Sequence, residues 1–188
     1  MIICIFTIFK DLLTMVYNDL HPVKIFNFCP KCGSNSFISI NDRAKKCEKC
    51  SFTFYFNSSA AVAALIYDDK NRLMLTRRAV EPFEGMLDLP GGFIDPLESA
   101  EEAILRELKE ELGAEVIHIE YLGSFPNEYP FSGIVIFTID LVFRVKIKSF
   151  KKLKPMDDIM AIEFYHPYEI PYKQIPATSI SNIIKRYV

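Results

Sequence analysis

One stretch constrains this chain more than any other: GGFIDPLESAEEAILRELKEELGA, residues 91–114. It follows directly on Pro90, and from Glu98 to Leu112 its spacing predicts a helix. On a wheel of about 100° per residue centred on Glu107, Glu110 falls near −60° and Glu111 near +40°. Ile104, Leu105, Leu108 and Leu112 fill the arc from about 60° to 160°. One face packs, and the adjacent face gathers carboxylates. Like charges one turn apart repel by about 0.2–0.5 kcal/mol per pair. A solvated helix would intersperse lysines at i+4, and this arc holds none; Glu102 and Lys109 lie away from it and read as ordinary solvent residues. Hard cations such as Mg2+ take oxygen clusters of this kind together with substrate phosphates. Bound metal would therefore relieve the repulsion.

Four of the five cysteines form two pairs, Cys29/Cys32 in CPKC and Cys47/Cys50 in CEKC, with 14 residues between the pairs. That is the spacing of a four-thiolate structural zinc site, with two sulfurs from each tight turn. Gly33 lets the backbone fold back under the metal, and the alternating SFISIND reads as a strand ending in a turn at Asn41 and Asp42. Two disulfides or a redox-active pair are the alternatives; the lack of a secretory leader argues against the first and the matched pairs against the second. With four thiolates on the ion no position remains for a substrate water, so the zinc is expected to be structural. Lys31, Arg43, Lys45, Lys46 and Lys49 make this zinc ribbon basic, which suits a nucleic-acid patch or simply a solvated face.

The remainder reads as a mixed α/β domain. AAVAALIY and RLMLTRR are expected to form a hairpin across a DDKN turn, MLDLPGGFI a third extended piece, GSFPNEYPFSG a loop, IVIFTIDLVFRVKI and IMAIEFYH strands, and TSISNIIKRYV a helix with a Thr/Ser cap. The domains are expected at 1–20 (an N-terminal extension), 21–56 (zinc ribbon) and 57–188 (the α/β domain). MIICIFTIF is too short to span a bilayer and lacks the flanks of a secretion signal. Met15 offers an alternative start that would leave 1–14 untranslated. A cytoplasmic protein that meets no membrane is expected. A formal net charge of −2 gives no electrostatic footprint for wrapping RNA.

The acidic stretch fits the Nudix box, G-x5-E-x7-R-E-U-x-E-E-x-G-U with U bulky and apolar, through Gly92, Glu98, Arg106, Glu107, Leu108, Glu110, Glu111 and Gly113. Ala114 stands where a larger aliphatic is usual. Over residues 58–188 the chain thus resembles a Nudix hydrolase. The resemblance implies a mixed β-sheet sandwiched between α-helices, behind the zinc ribbon, and hydrolysis of a nucleoside diphosphate linked to another group. It implies that Glu107, Glu110 and Glu111, with the carbonyl of Gly91 or Gly92, bind Mg2+ or Mn2+. Arg106 would hold Glu107 through a charge-assisted hydrogen bond, and Glu98 would cap the loop or reach metal through water. A carboxylate must accept a proton from the attacking water; Glu107, Glu128, Asp157, Asp158 and Glu163 are the candidates, with an exposed strand position the alternative for Glu163.

A zinc ribbon directly before such a domain resembles the NADH pyrophosphatase group, which also carries S-Q-P-W-P-F-P-x-S after the box. Here SFPNEYPFS keeps Ser124, Pro126, Pro130 and Ser132, and Tyr129 replaces Phe. Phe125, Asn127 and Glu128 replace Gln, Trp and Pro, and the lost Trp removes a large stacking surface. The expected substrates are NADH or ADP-ribose. Housecleaning hydrolysis of (d)NTPs, processing of NAD-capped RNA 5′ ends and a non-catalytic nucleotide sensor are the other readings. Phe83 and Tyr129 are candidates for stacking on a base, as are Phe125 and Phe131, and Arg77 and Arg78 for meeting phosphate. The resembling group also implies a homodimer.

Overall fold

The computed structural model describes residues 20–188. The expected extension up to position 19, including the alternative start and Cys4, lies outside the described residues. The chain divides into two units, Met1–Ser58 with Tyr129–Phe137, and Ser59–Glu128 with Thr138–Val188.

In the smaller unit, a one-turn helix α1 (Pro22–Ile25) is capped by His21, whose Nδ1 accepts the Val23 N–H at 3.0 Å. Strands β1 (Phe37–Asn41), β2 (Ala44–Cys47) and β3 (Thr53–Tyr55) form an antiparallel sheet in that order. Its buried core is small: Cys29, Phe37 and Cys47, with Cys50 and Phe52 against them. Lys45, expected on the basic surface, is instead buried, its ammonium 5.5 Å from the centre of the Phe37 ring. Burying the stem over an aromatic face offsets part of the cost of desolvating the charge.

The larger unit holds two sheets. In one, β4 (Ser59–Ile66) pairs in parallel with β8 (Ile134–Ile147), and β7 (Val116–Phe131) lies on the far side of β8; in the other, β5 (Leu73–Arg78) runs between β6 (Leu87–Asp88) and β9 (Ile159–Tyr165). The expected hairpin of β4 with β5 does not form beyond a single bridge between Tyr67 and Leu73. A continuous apolar run suits a strand covered on both faces, and β4 is covered so. Val62, Ala64 and Ile66 pack with Ile104, Leu108 and Leu112 of helix α2 (Ala100–Leu112), and Ala63 and Leu65 with Ile180, Ile183 and Ile184 of helix α3 (Thr178–Tyr187). The sheet is thus sandwiched between helices, as the fold class required.

Two further expectations change. Residues 123–131, read as a loop, extend β7, and Ser132 and Gly133 make the turn into β8 with φ of 52° and 77°. Two consecutive left-handed residues match the twist of a tight hairpin, and an edge strand tolerates Pro126 and Pro130. Helix α3 starts from Ala177, which makes no side-chain cap. Ser179 instead donates to Asp140 on β8, whose other oxygen accepts from Thr138 at 3.0 Å, all three residues being buried. The carboxylate does from another strand what a cap would do locally, placing negative charge at the start of the helix.

Candidate active site

Helix α2 is launched by a reciprocal capping box. Ser99 Oγ accepts the Glu102 N–H at 3.2 Å, and Glu102 accepts the Ser99 N–H at 2.9 Å. Glu102 is therefore a cap rather than an idle solvent residue, and Glu98 accepts the Asp95 N–H of the preceding loop at 3.0 Å. Gly113 ends it in the left-handed conformation, φ 63°.

The buried arc of α2 is rotated from the expected one: Ala103 and Glu111 are inside, and Leu105 is 43% exposed. The acidic face consequently overlaps the packed face instead of lying beside it. Glu111 retains 8% of its surface, and the Glu107 and Glu110 side chains are 13% and 51% exposed. Opposite them runs the Gly91–Gly92 segment, held to β4 by Val62 N–H donating to the Gly92 carbonyl at 2.8 Å and Ala64 N–H to Pro90 at 2.9 Å. Gly91 is dictated by space and by its backbone, and Gly92 brings the turn against the Glu107 carboxyl. A Cβ on Gly92 would lie 2.6–2.9 Å from the Glu107 carboxyl atoms, and one on Gly91, at φ 141°, would lie 2.1 Å from the Val62 carbonyl oxygen. The Gly91 N–H donates to Glu111 at 3.0 Å. The turn therefore cradles both carboxylates.

Arg106 organises the outer part of the site. Its Nε and Nη2 grip Glu98 at 2.8 Å each, Nη1 donates to Glu107 at 2.8 Å and Glu110 at 3.1 Å, and Nη2 reaches the Phe93 carbonyl at 3.0 Å. The guanidinium holds the Glu98 carboxyl down at about 2. Burial drives the inner acids the other way: Glu111 is pushed up to about 8, opposed by the Gly91 N–H and reinforced by Glu107, Asp88 and Asp157, and Glu107 is raised by burial against the pull of Arg106. Carboxylate oxygens on one helix face, beside the close-approaching Gly91–Gly92 turn, are the hard donors a divalent cation takes. Among the described residues, only the four cysteines bring three or more ligand atoms within 4.8 Å of one another. The acids are spread more widely, with Glu107 and Glu110 drawn onto Arg106.

The remaining candidates are engaged elsewhere. Glu163 accepts Arg77 Nε at 2.6 Å and the Tyr165 hydroxyl, and Arg77 holds its carboxyl below the usual range, which suits an ion-pair partner better than a base. Arg77 and Arg78 bind carboxylates and loop carbonyls, at 2.6 Å to Gly85 and 2.8 Å to Pro82. Phe83 is half-buried at φ 69° in the loop after β5. Tyr129 belongs to the smaller unit, its ring stacked on Phe131 with centroids 6.3 Å apart. Asp88, which the sequence reading passed over, pairs with Arg78 at 3.3 Å, and burial pushes it up to about 6. An Asp between two buried leucines on a short strand was the available signal.

In the smaller unit, Cys29 Sγ lies 3.7 Å from Cys50 Sγ, and Cys32 Sγ 3.7 Å from Cys47 Sγ. A tetrahedron with Zn–S of about 2.3 Å has edges of about 3.8 Å, whereas a disulfide needs about 2.05 Å. The four thiols fit zinc. Each pair sits on a turn closed by a left-handed residue, Gly33 at φ 70° and Ser51 at φ 59°.

Comparison with known proteins agrees with this arrangement. The family model of the NUDIX domain matches residues 57–184. The chain is 32% identical over 148 residues to the ADP-ribose pyrophosphatase of Methanocaldococcus jannaschii, covering 77% of this chain and 81% of that protein. It is 30% identical over 170 residues to the NAD-capped RNA hydrolase NudC of Vibrio atlanticus, covering 89% of this chain and 62% of that protein. The chain therefore spans less than two thirds of the length of the NudC proteins it matches. Among solved structures, a NUDIX hydrolase from Nitrosomonas europaea superposes with a TM-score of 0.64 at 26% identity, covering 86% and 90% of the two chains.

Proposed function

Because the chain belongs to the NUDIX family, we propose that it is a divalent-cation-dependent pyrophosphatase acting on nucleoside diphosphates linked to a second moiety, of the ADP-ribose or NADH kind. The observation that carries this reading is the carboxylate face of α2 set against Gly91 and Gly92, with the Gly91 N–H on Glu111 and no room for a Cβ at Gly91. Glu107, Glu110 and Glu111, with the Gly91 carbonyl, would hold Mg2+ or Mn2+, and the four cysteines would hold a structural Zn2+. Bound Mg2+ or Mn2+ supplies charge neutralisation for the pyrophosphate and lowers the pKa of a water.

The chain's own residues do the rest. Arg106, anchored on Glu98, fixes the orientation of Glu107 and Glu110. Glu107, largely sheltered and oriented by Arg106, is the better-placed carboxylate to take a proton from the attacking water, since Glu163 is committed to Arg77 and Tyr165. The protein is expected to act on a small-molecule substrate.

A second reading, action at the 5′ end of a NAD-capped RNA, draws support from one observation. Among residues 20–58 stand six Lys or Arg against two Asp or Glu, and of the six only Lys45 is buried. Hydrolysis rates for ADP-ribose, NADH, (d)NTPs and a NAD-capped oligoribonucleotide under Mg2+ or Mn2+ decide between the readings. Fastest release of AMP from ADP-ribose or NADH is expected; preference for (d)NTPs would reject the proposal, and preference for the capped oligomer would favour the second reading.

A further inference from the structure

Strand β5 ends in two adjacent arginines, with an irregularity in its pairing to β9 between them. Each is anchored by a carboxylate on a different flanking strand: Arg77 Nε on Glu163 of β9 at 2.6 Å, and Arg78 Nη1 on Asp88 of β6 at 3.3 Å. Each then donates to a carbonyl of the same loop, 79–86. Arg77 Nη1 reaches Gly85 at 2.6 Å, and Arg78 Nε reaches Pro82 at 2.8 Å. Arg77 Nη1 also meets Gln174 Oε1 at 3.2 Å.

Only Phe83 and Glu84 lie between the two strapped carbonyls. Phe83 sits in the left-handed region, φ 69°, with its N–H on Glu81 Oε2 at 3.1 Å. Such a conformation is unfavourable for a bulky residue and persists where its surroundings enforce it. The root of the loop adjoins the acidic face of α2: Ala79 N–H donates to the Asp158 carbonyl at 2.7 Å, and Asp88 and Asp157 lie close enough to Glu111 for their charges to act on it.

We propose that Arg77 and Arg78 are positioning residues, a two-armed clamp anchored by Glu163 and Asp88 that fixes loop 79–86, and that Phe83, held by this clamp, stacks on a planar ring of the nucleotide. In this reading the Nε and Nη1 donors of both arginines serve the loop and its anchors rather than phosphate. The substrate arm of this inference rests on the function proposed above.

The protein has no tryptophan, so Phe83→Trp introduces a single, selectively excitable tryptophan at the proposed stacking position. Its emission is expected to be quenched saturably by AMP in the presence of Mg2+; no change on adding AMP overturns the stacking role. Glu163→Gln and Arg77→Ala should each raise KM for ADP-ribose about tenfold, the scale of one lost base stack, while kcat stays within about twofold, and the double variant should be no worse than either single one. A phosphate-binding Arg77 predicts the reverse for Glu163→Gln, since freeing the guanidinium from its carboxylate would lower KM. Glu163→Gln is isosteric, so the comparison survives if Arg77→Ala does not fold. If the wild-type protein hydrolyses neither ADP-ribose nor NADH, the functional reading fails on its own. The clamp is then judged by amide hydrogen exchange of residues 83–86, expected to quicken about tenfold in Glu163→Gln; unchanged exchange overturns it.

Discussion

The two units are suited to holding metal for opposite reasons. The smaller has a core cluster of three buried residues and four thiols at tetrahedral spacing, so under the proposed zinc site its fold would depend on the ion. The larger buries two extensive apolar clusters on the faces of β4 and can afford to crowd carboxylates that repel one another. On the proposed sites, metal would make the structure in one, and the structure would make a place for metal in the other. A cluster of metal-ligand side chains is a fold determinant or a functional liability according to how much apolar surface stands behind it.

The largest effect should come from Cys47→Ser. Loss of a buried thiolate is expected to unfold β1–β3, seen as collapse of their amide dispersion by NMR, while resonances of α2 and α3 persist. Retention of the ribbon would break the contrast. In the larger unit Leu108, fully buried between α2 and β4, is the converse probe: Leu108→Ala should cost about 2–5 kcal/mol in chemical denaturation and leave zinc stoichiometry unchanged. Ser99→Ala removes one half of the capping box and should cost about 1 kcal/mol, a sharper test of whether local capping or tertiary burial sets α2.

The smallest effect is a pH slope. Burial raises Asp140, opposed by Ser179 and Thr138, and lifts Asp88 to about 6. A carboxyl whose folded pKa exceeds its unfolded value near 3.9 costs nothing below that value and destabilises increasingly as pH rises through the window. Asp88 should therefore make the melting temperature decline as pH rises from about 4 to about 6; Asp140 acts in the same direction, and Asp140→Asn should reduce the decline. An unchanged slope would show that Asp140 is not ionising within the fold.

The contrast between the units also shows what a sequence displays. The four cysteines and the box were legible because their chemistry demands fixed residue types at fixed spacing, and β8 and β9 because their apolar runs are long. The parallel pairing of β4 with β8 was hidden, since a run of small apolar residues does not name its partner. The strand at 123–131 was masked by prolines that an edge position tolerates. Arg77, Arg78 and Glu163 were visible as charged residues on strands, but their pairing depends on β9 lying next to β5, 86 positions apart in the Arg77–Glu163 bond. Asp88 and Glu102 were missed because their roles come from a neighbouring strand and a reciprocal cap.

The central claim is that the carboxylates of α2 hold the catalytic cation, and Glu110 tests it with least structural disturbance because its side chain is 51% exposed. The measurement is the rate of ADP-ribose hydrolysis against Mg2+ concentration for wild type and Glu110→Gln, both loaded with zinc. The account predicts saturable Mg2+ dependence in the wild type and at least about a hundredfold lower kcat/KM in the variant, about 2.7 kcal/mol of transition-state stabilisation. Equal rates and equal Mg2+ dependence in the two proteins would contradict it.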